Sequence, residues 1–156
     1  MARQKHKRDI EQLLIRYATA LSHTNPNTSF LHLWSILERI TDTVGAKYDE
    51  TIERVVWPYI DVDRKLAKEY LGHLRFRRNQ YVHSAIQNDE MDQTLYLAKT
   101  FVENHLLRLV RNDFNVESLE EYGKFLSLPT NVVTLRKRQR HLSKAIEIRE
   151  KKDGSE

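Results

Sequence analysis

A guanidinium set where a helix should be apolar is the first chemical feature of this chain. In Arg75-Phe76-Arg77-Arg78-Asn79-Gln80-Tyr81-Val82-His83-Ser84, counting about 100° per residue puts Tyr70, Leu74, Tyr81, Val82 and Ala85 on one helical stripe, with Arg78 near its middle. Arg stays charged at any accessible pH and is almost never buried unpaired, so Arg78 needs a partner, a kink or a second chain. On a straight helix His83 diverges from Arg78 by roughly 140°, whereas Asn79 and His83, four apart, share a face. Arg with His suits RNA cleavage that recruits the 2′-hydroxyl of the RNA as nucleophile. His titrates near neutral pH and can take or give a proton. An Arg fork matches two oxygens of the phosphorane-like transition state, and Asn79 would orient either His83 or the phosphate. Arg75 and Arg77 add neighbouring cations able to bind RNA. This chemistry needs no metal and no other cofactor.

The plainer reading of the same residues is an interior Arg paired with Glu38 of an upstream helix, next to an incidental surface His. With 7 His in 156 residues, chance supplies roughly 0.7 Arg-to-His pairs at this spacing, so the bare spacing is weak evidence. Arg136 and His141 repeat it, but Lys137-Arg138-Gln139-Arg140 between them is wholly polar and reads as a solvated face. Only the first copy has Asn after Arg and an apolar pair before His.

This arrangement resembles the HEPN superfamily, whose members carry an Arg, four to six residues and a His, often with a polar residue directly after the Arg. Arg78-Asn79-Gln80-Tyr81-Val82-His83 fits that pattern. The helix around Leu31-His32-Leu33-Trp34-Ser35-Ile36-Leu37-Glu38 extends the likeness, which points to the Apea-like branch and takes in roughly residues 5–112. The resemblance implies an all-α, HEPN-like helical bundle and a metal-independent endoribonuclease of defence or toxin systems, with Arg78, His83 and Asn79 as its catalytic residues. It also implies a homodimer through the motif helices, which brings Arg and His of both subunits into one cleft. A sensor domain or an antitoxin is the further partner it suggests. HEPN-like bundles serve as well as non-catalytic dimerisation or nucleic-acid-holding modules, the alternative for this chain. In another group, toxins are silenced by nucleotide transfer onto a Tyr two places after the motif His; here that place is Ala85.

The elements that must position these residues are helical throughout. A chain of 156 residues has room for one domain with a real core, so residues 1–156 read as a single domain: a motif core over about 5–112 and two further C-terminal helices over about 113–150. Hydrophobic residues at 40% and charged ones at 31% are ordinary for a folded globular chain. The absence of cysteine removes disulfides, thiolate nucleophiles and zinc-thiolate sites together. No apolar run approaches the length needed to cross a bilayer, and the basic amino end lacks a following apolar region, so the expectation is a cytoplasmic protein without a membrane partner. A net charge of +4 favours polyanionic partners, RNA among them. The residue sets of a phosphate-binding Gly loop, a zinc-protease helix and a nucleophile elbow are missing.

Three-and-four spacing predicts a first helix with Ile10, Leu13, Leu14, Tyr17, Ala18 and Leu21 inward, ended at His23–Asn27. Thr28 or Ser29 would cap a central helix bearing Phe30, Leu33, Trp34, Leu37, Ile40 and Thr41, which Gly45 would stop. Asp49 or Thr51 would open a short helix with Ile52, Val55 and Val56, closed by Pro58. Asp61-Val62-Asp63 reads as a helix start favoured by the dipole rather than a metal site. The motif helix follows, with Gly72 its weak point. Ser84 to Asp92 reads as a loop, and Asn88 or Asp89 as the cap of a fifth helix bearing Leu95, Ala98, Phe101, Val102, His105, Leu106 and Leu109, in which His105 is a core residue bonded to a carbonyl. Glu117–Phe125 and Thr130–Lys151 are the last two helical segments. Leu128, Leu135 and Leu142 recur every seven residues, but Gln139 argues against a long coiled coil. Trp34, Leu37, Leu74, Val82, Phe101 and Leu106 are the expected buried anchors.

Overall fold

The structure, a computed structural model, describes residues 2–84 and 91–153, with side chains over 6–81 and 91–151. Among these residues the protein is all-α: α1 (Ala2–Ser22), α2 (Pro26–Ile40), α3 (Tyr48–Val55), α4 (Asp61–Ser84), α5 (Met91–Arg111), α6 (Leu119–Leu126) and α7 (Val132–Asp153), with no strand. None of these helices is long and apolar enough to cross a membrane.

Helix α2 is the centre of the core. Phe30, Leu33, Trp34, Leu37, Ile40 and Thr41 are buried as their spacing predicts, and Ile36, off that row, is buried too, because α1 and α5 cover α2 from different sides. The helix starts earlier than expected. Asn25, not Thr28 or Ser29, is the N-cap, its side chain accepting from the amides of Asn27 (2.9 Å) and Thr28 (3.2 Å). Pro26 follows at the first helical position, where its missing N–H costs nothing.

On α1 the inward row is Ile10, Leu13, Tyr17 and Ala20, while Leu14 and Leu21 are each about two-fifths exposed. Two adjacent rows share the same spacing, and packing against α2 and α5 chooses between them; the Tyr17 hydroxyl, common to both rows, donates to Glu103 of α5. On α5, Ala98, Phe101, Val102, His105, Leu106 and Leu109 are buried. Trp34, Leu37, Leu74, Phe101 and Leu106 are all buried anchors, while the Val82 side chain lies outside the described residues. Of the expected loop, Ser84 still belongs to α4 and Met91 and Asp92 to α5; the expected caps Asn88 and Asp89 lie outside the described residues.

Short α3 packs on α4 and on the end of α2. Behind it the hydroxyls of Thr41, Thr43 and Thr51, all fully buried, form a chain with separations of 2.9 and 2.6 Å, which pairs polar groups that burial would otherwise penalise. Trp57 meets Phe114 and Phe125 edge-on, and its indole N–H donates to the Leu128 carbonyl at 2.7 Å. Ser118 caps α6 by accepting from the Glu121 amide at 3.1 Å. Helix α7 behaves differently from the rest: from Val132 to Lys151 every side chain is exposed except Leu135 and Glu147, which are half-buried.

Candidate functional site

Helix α4 runs unbroken for 24 residues. Gly72 does not end it, and a Cβ at that position would meet nothing within 4 Å. Arg78 and His83 therefore keep the roughly 140° divergence of a straight helix; the His83 side chain lies outside the described residues. The buried row of α4 is Ala67, Leu71, Leu74 and Tyr81, and Arg78 occupies the vacant place between Leu74 and Tyr81. Tyr70, expected on this row, is one position off it and 39% exposed.

The inward Arg78 meets a ring. Its Cζ lies 4.8 Å from the centroid of Tyr48, and the Arg75 Cζ lies 5.8 Å from the same ring. Arg75 is also ion-paired with Asp49, so the first turn of α3 receives two of the three motif arginines. The Arg78 Nη1 is 3.5 Å from the Asn79 Oδ1, the limit of a hydrogen bond. A cation over an aromatic face gains about 0.5–2 kcal/mol, depending on desolvation. That holds the guanidinium without neutralising it.

Glu38 sits deeper in the same assembly. It is buried, and its Oε1 accepts from the Trp34 indole N–H at 3.0 Å. Trp34 packs on Tyr48 with 6.4 Å between centroids. Arg78 and Glu38 thus stand at opposite ends of a row with two aromatic rings between them, and the ion pairs among the described residues do not join them. Sequence reasoning missed Tyr48 and Trp34 as the linking pair. Trp34 is legible only as a core residue, and Tyr48 gives no signal, because a contact across 30 residues of chain leaves no local pattern.

Arg77 lies on another face of α4, bordering a cavity toward α5. His105 is a core residue, as its place on the α5 stripe suggested. It is fully buried, its Nε2 3.0 Å from the Val55 carbonyl and its Nδ1 2.8 Å from the Tyr122 hydroxyl. Since a carbonyl only accepts, Nε2 carries the proton and Nδ1 accepts from Tyr122. Burial lowers the His105 pKa to about 4, which leaves the ring neutral and without acid–base work at neutral pH. Asp61 and Asp63 are exposed in the first turn of α4. Among the described residues no group of three or more His, Asp or Glu is gathered as metal ligands would be.

Comparisons of this chain with protein-family models, curated proteins and solved structures find no match. Its chemistry therefore rests on its own residues, and the distribution of charge along the chain is a further feature. Residues 1–131 contain 18 basic and 18 acidic residues, so the whole formal surplus of +4 lies in residues 132–156. Arg136, Lys137, Arg140 and Lys144 fall within about 100° of one another on α7. All four are exposed.

Proposed function

We propose that the chain is a metal-independent endoribonuclease of HEPN type, acting in the cytoplasm in a defence or toxin setting. It cleaves single-stranded RNA in a composite site formed where two copies meet along α4. The observation that carries the reading is Arg78: a half-buried guanidinium on the inward row of α4, engaged by the Tyr48 ring and Asn79 rather than a carboxylate among the described residues. A cation held in place but not neutralised suits an anion that arrives later. Further support comes from the outer surface of α4, where Val62 and Phe76, on a face apart from the one turned toward α5, are exposed. Phe76 and His83, seven residues apart, occupy one row to within about 20°.

In this mechanism one His83 takes the proton of the 2′-hydroxyl, and the 2′-oxygen attacks the adjacent phosphorus. The His83 of the second copy protonates the departing 5′-oxygen, and the paired Arg78 side chains stabilise the non-bridging oxygens. One fragment ends in a 2′,3′-cyclic phosphate and the other begins with a 5′-hydroxyl. Twofold symmetry supplies the base and the acid that one chain cannot.

The test is incubation of purified protein with labelled single-stranded RNA in the presence of a chelator. Cleavage with those two ends is expected, and His83→Ala lowers the rate by about 10²–10⁴-fold. Replacing the ribose at the cut site by 2′-deoxyribose abolishes cleavage; an unchanged rate rejects the mechanism. The exposed cationic face of α7 also favours a second reading, an RNA-holding module without catalysis. RNA bound but left intact in the same assay selects it.

A further inference from the structure

The face of α4 turned toward α5 lies about 100° from Arg78 and lines a groove. Tyr70, His73, Arg77, Gln93, Thr94 and Leu97 border a cavity of ≈ 260 Å³. A second cavity of ≈ 270 Å³ shares Tyr70 and Leu97 with it and continues past Leu66 and Phe101 to Tyr59 and Asn104. The two share Tyr70 and Leu97 as walls, and each lies close to the lower end of the size range of sites for one small molecule.

The chemistry of the groove is graded along its length. His73 and Arg77, four residues apart, share one face of the helix and put an imidazole and a planar cation at one end. The middle is aromatic and aliphatic, through Tyr70, Leu97, Leu66 and Phe101. At the other end the Asn104 amide donates to the Tyr59 hydroxyl at 3.1 Å, and Asp63 places a carboxylate beside them. The two ends thus differ in chemistry, imidazole and guanidinium at one and carboxylate, amide and phenol at the other.

We infer that this groove binds one ribonucleotide unit, with its phosphate at Arg77 and His73 and its base along Tyr70 toward Asn104. A guanidinium fork matches phosphate oxygens, and an aromatic face stacks any base. The apolar wall gives a bare anion nothing, and the His73–Arg77 end gives a purely apolar ligand nothing. The inference rests on the ribonuclease reading only in taking the nucleotide to be part of an RNA strand, held beside the Arg78 site.

Its test is independent of cleavage, because the probes contain no scissile diester. The full chain is titrated with 5′-AMP, 5′-UMP, adenosine and inorganic phosphate, followed by calorimetry and backbone-amide NMR. The two nucleotides bind saturably and shift the amides of Gln93, Thr94 and Leu97; adenosine and phosphate each bind at least about tenfold more weakly than 5′-AMP. Arg77→Gln weakens nucleotide binding by at least about tenfold, and Leu97→Trp blocks it by filling the groove. Phosphate binding as tightly as 5′-AMP makes this a bare anion site and overturns the inference. An Arg77→Gln variant that binds normally, or the absence of saturable shifts in the groove, overturns it as well. So does a Leu66→Arg variant that dissociates a dimer while nucleotides bind as before, since the groove is then a subunit face. Nucleotide binding without RNA cleavage keeps the groove and removes the ribonuclease reading.

Discussion

His105 is neutral because its ring is enclosed and its two nitrogens are committed to Val55 and Tyr122. Its pKa of about 4 lies below the ordinary 6.5, so below pH 6.5 the unfolded chain takes up a proton that the folded chain refuses. Stability from this residue is complete above pH 6.5 and is lost as pH falls toward 4, a loss of roughly 3 kcal/mol. Urea unfolding of wild type and His105→Asn between pH 7.5 and 4.5 checks this: the variant is less stable throughout, and its curve is flatter over that range. Arg78 carries the residue-scale test of catalysis. Under the proposed mechanism Arg78→Ala should lower cleavage as severely as loss of His83, and Arg78→Lys should recover little, since a point charge does not replace the planar fork. Tyr48→Leu removes the ring beneath the guanidinium and lowers cleavage by about tenfold while the chain stays folded. An unchanged rate in Tyr48→Leu shows that the ring does not position Arg78.

Helix packing gives two of the four glycines, Gly72 and Gly123, opposite roles. A Cβ at Gly123 would lie 2.7 Å from the Asp42 Cβ and 2.9 Å from the Thr41 carbonyl oxygen, so Gly123→Ala forces α6 away from the end of α2. The expected loss is about 1–3 kcal/mol. At Gly72 a Cβ meets nothing within 4 Å, and Gly72→Ala gains about 0.5–1 kcal/mol from helix propensity alone. Thermal unfolding of the two variants should bracket the wild type. On α2, Leu37 is fully buried, and Leu37→Ala costs about 2–5 kcal/mol. A midpoint unchanged by that substitution would mean that α2 is not the centre of the core.

For the whole molecule, charge and core are separated: the bundle up to residue 131 is formally neutral, and α7 carries the surplus on exposed side chains. Replacing Arg136, Lys137, Arg140 and Lys144 by Gln should leave the thermal midpoint near its wild-type value. RNA affinity should fall, with the slope of log affinity against log salt reduced by up to about 3, the value for four lost contacts to a single strand. A slope unchanged in that variant removes α7 from the RNA contacts. A composite site of the kind proposed would make activity depend on concentration, so specific activity should fall on dilution below the dimer dissociation constant. A sedimenting monomer with full specific activity rejects the twofold arrangement.

Much of this was legible in the chain itself, because period and composition act locally. The 3.6-residue pattern gave the helices and the central place of α2, and the isolated charge among apolar positions marked Arg78. A His on an apolar stripe announced a core residue in His105, since an imidazole there must find its partners inside the protein. Only the tertiary structure could choose between neighbouring rows of equal spacing, as on α1, where Ala20 is buried and Leu14 and Leu21 turn outward. Likewise it alone set the surroundings of Arg78. Glu38 and Tyr48 were equally available by type, and the packing of α3 on α4 put the ring next to the guanidinium while the carboxylate went to Trp34. Such contacts depend on helix rotation and crossing, which no local pattern of residues encodes.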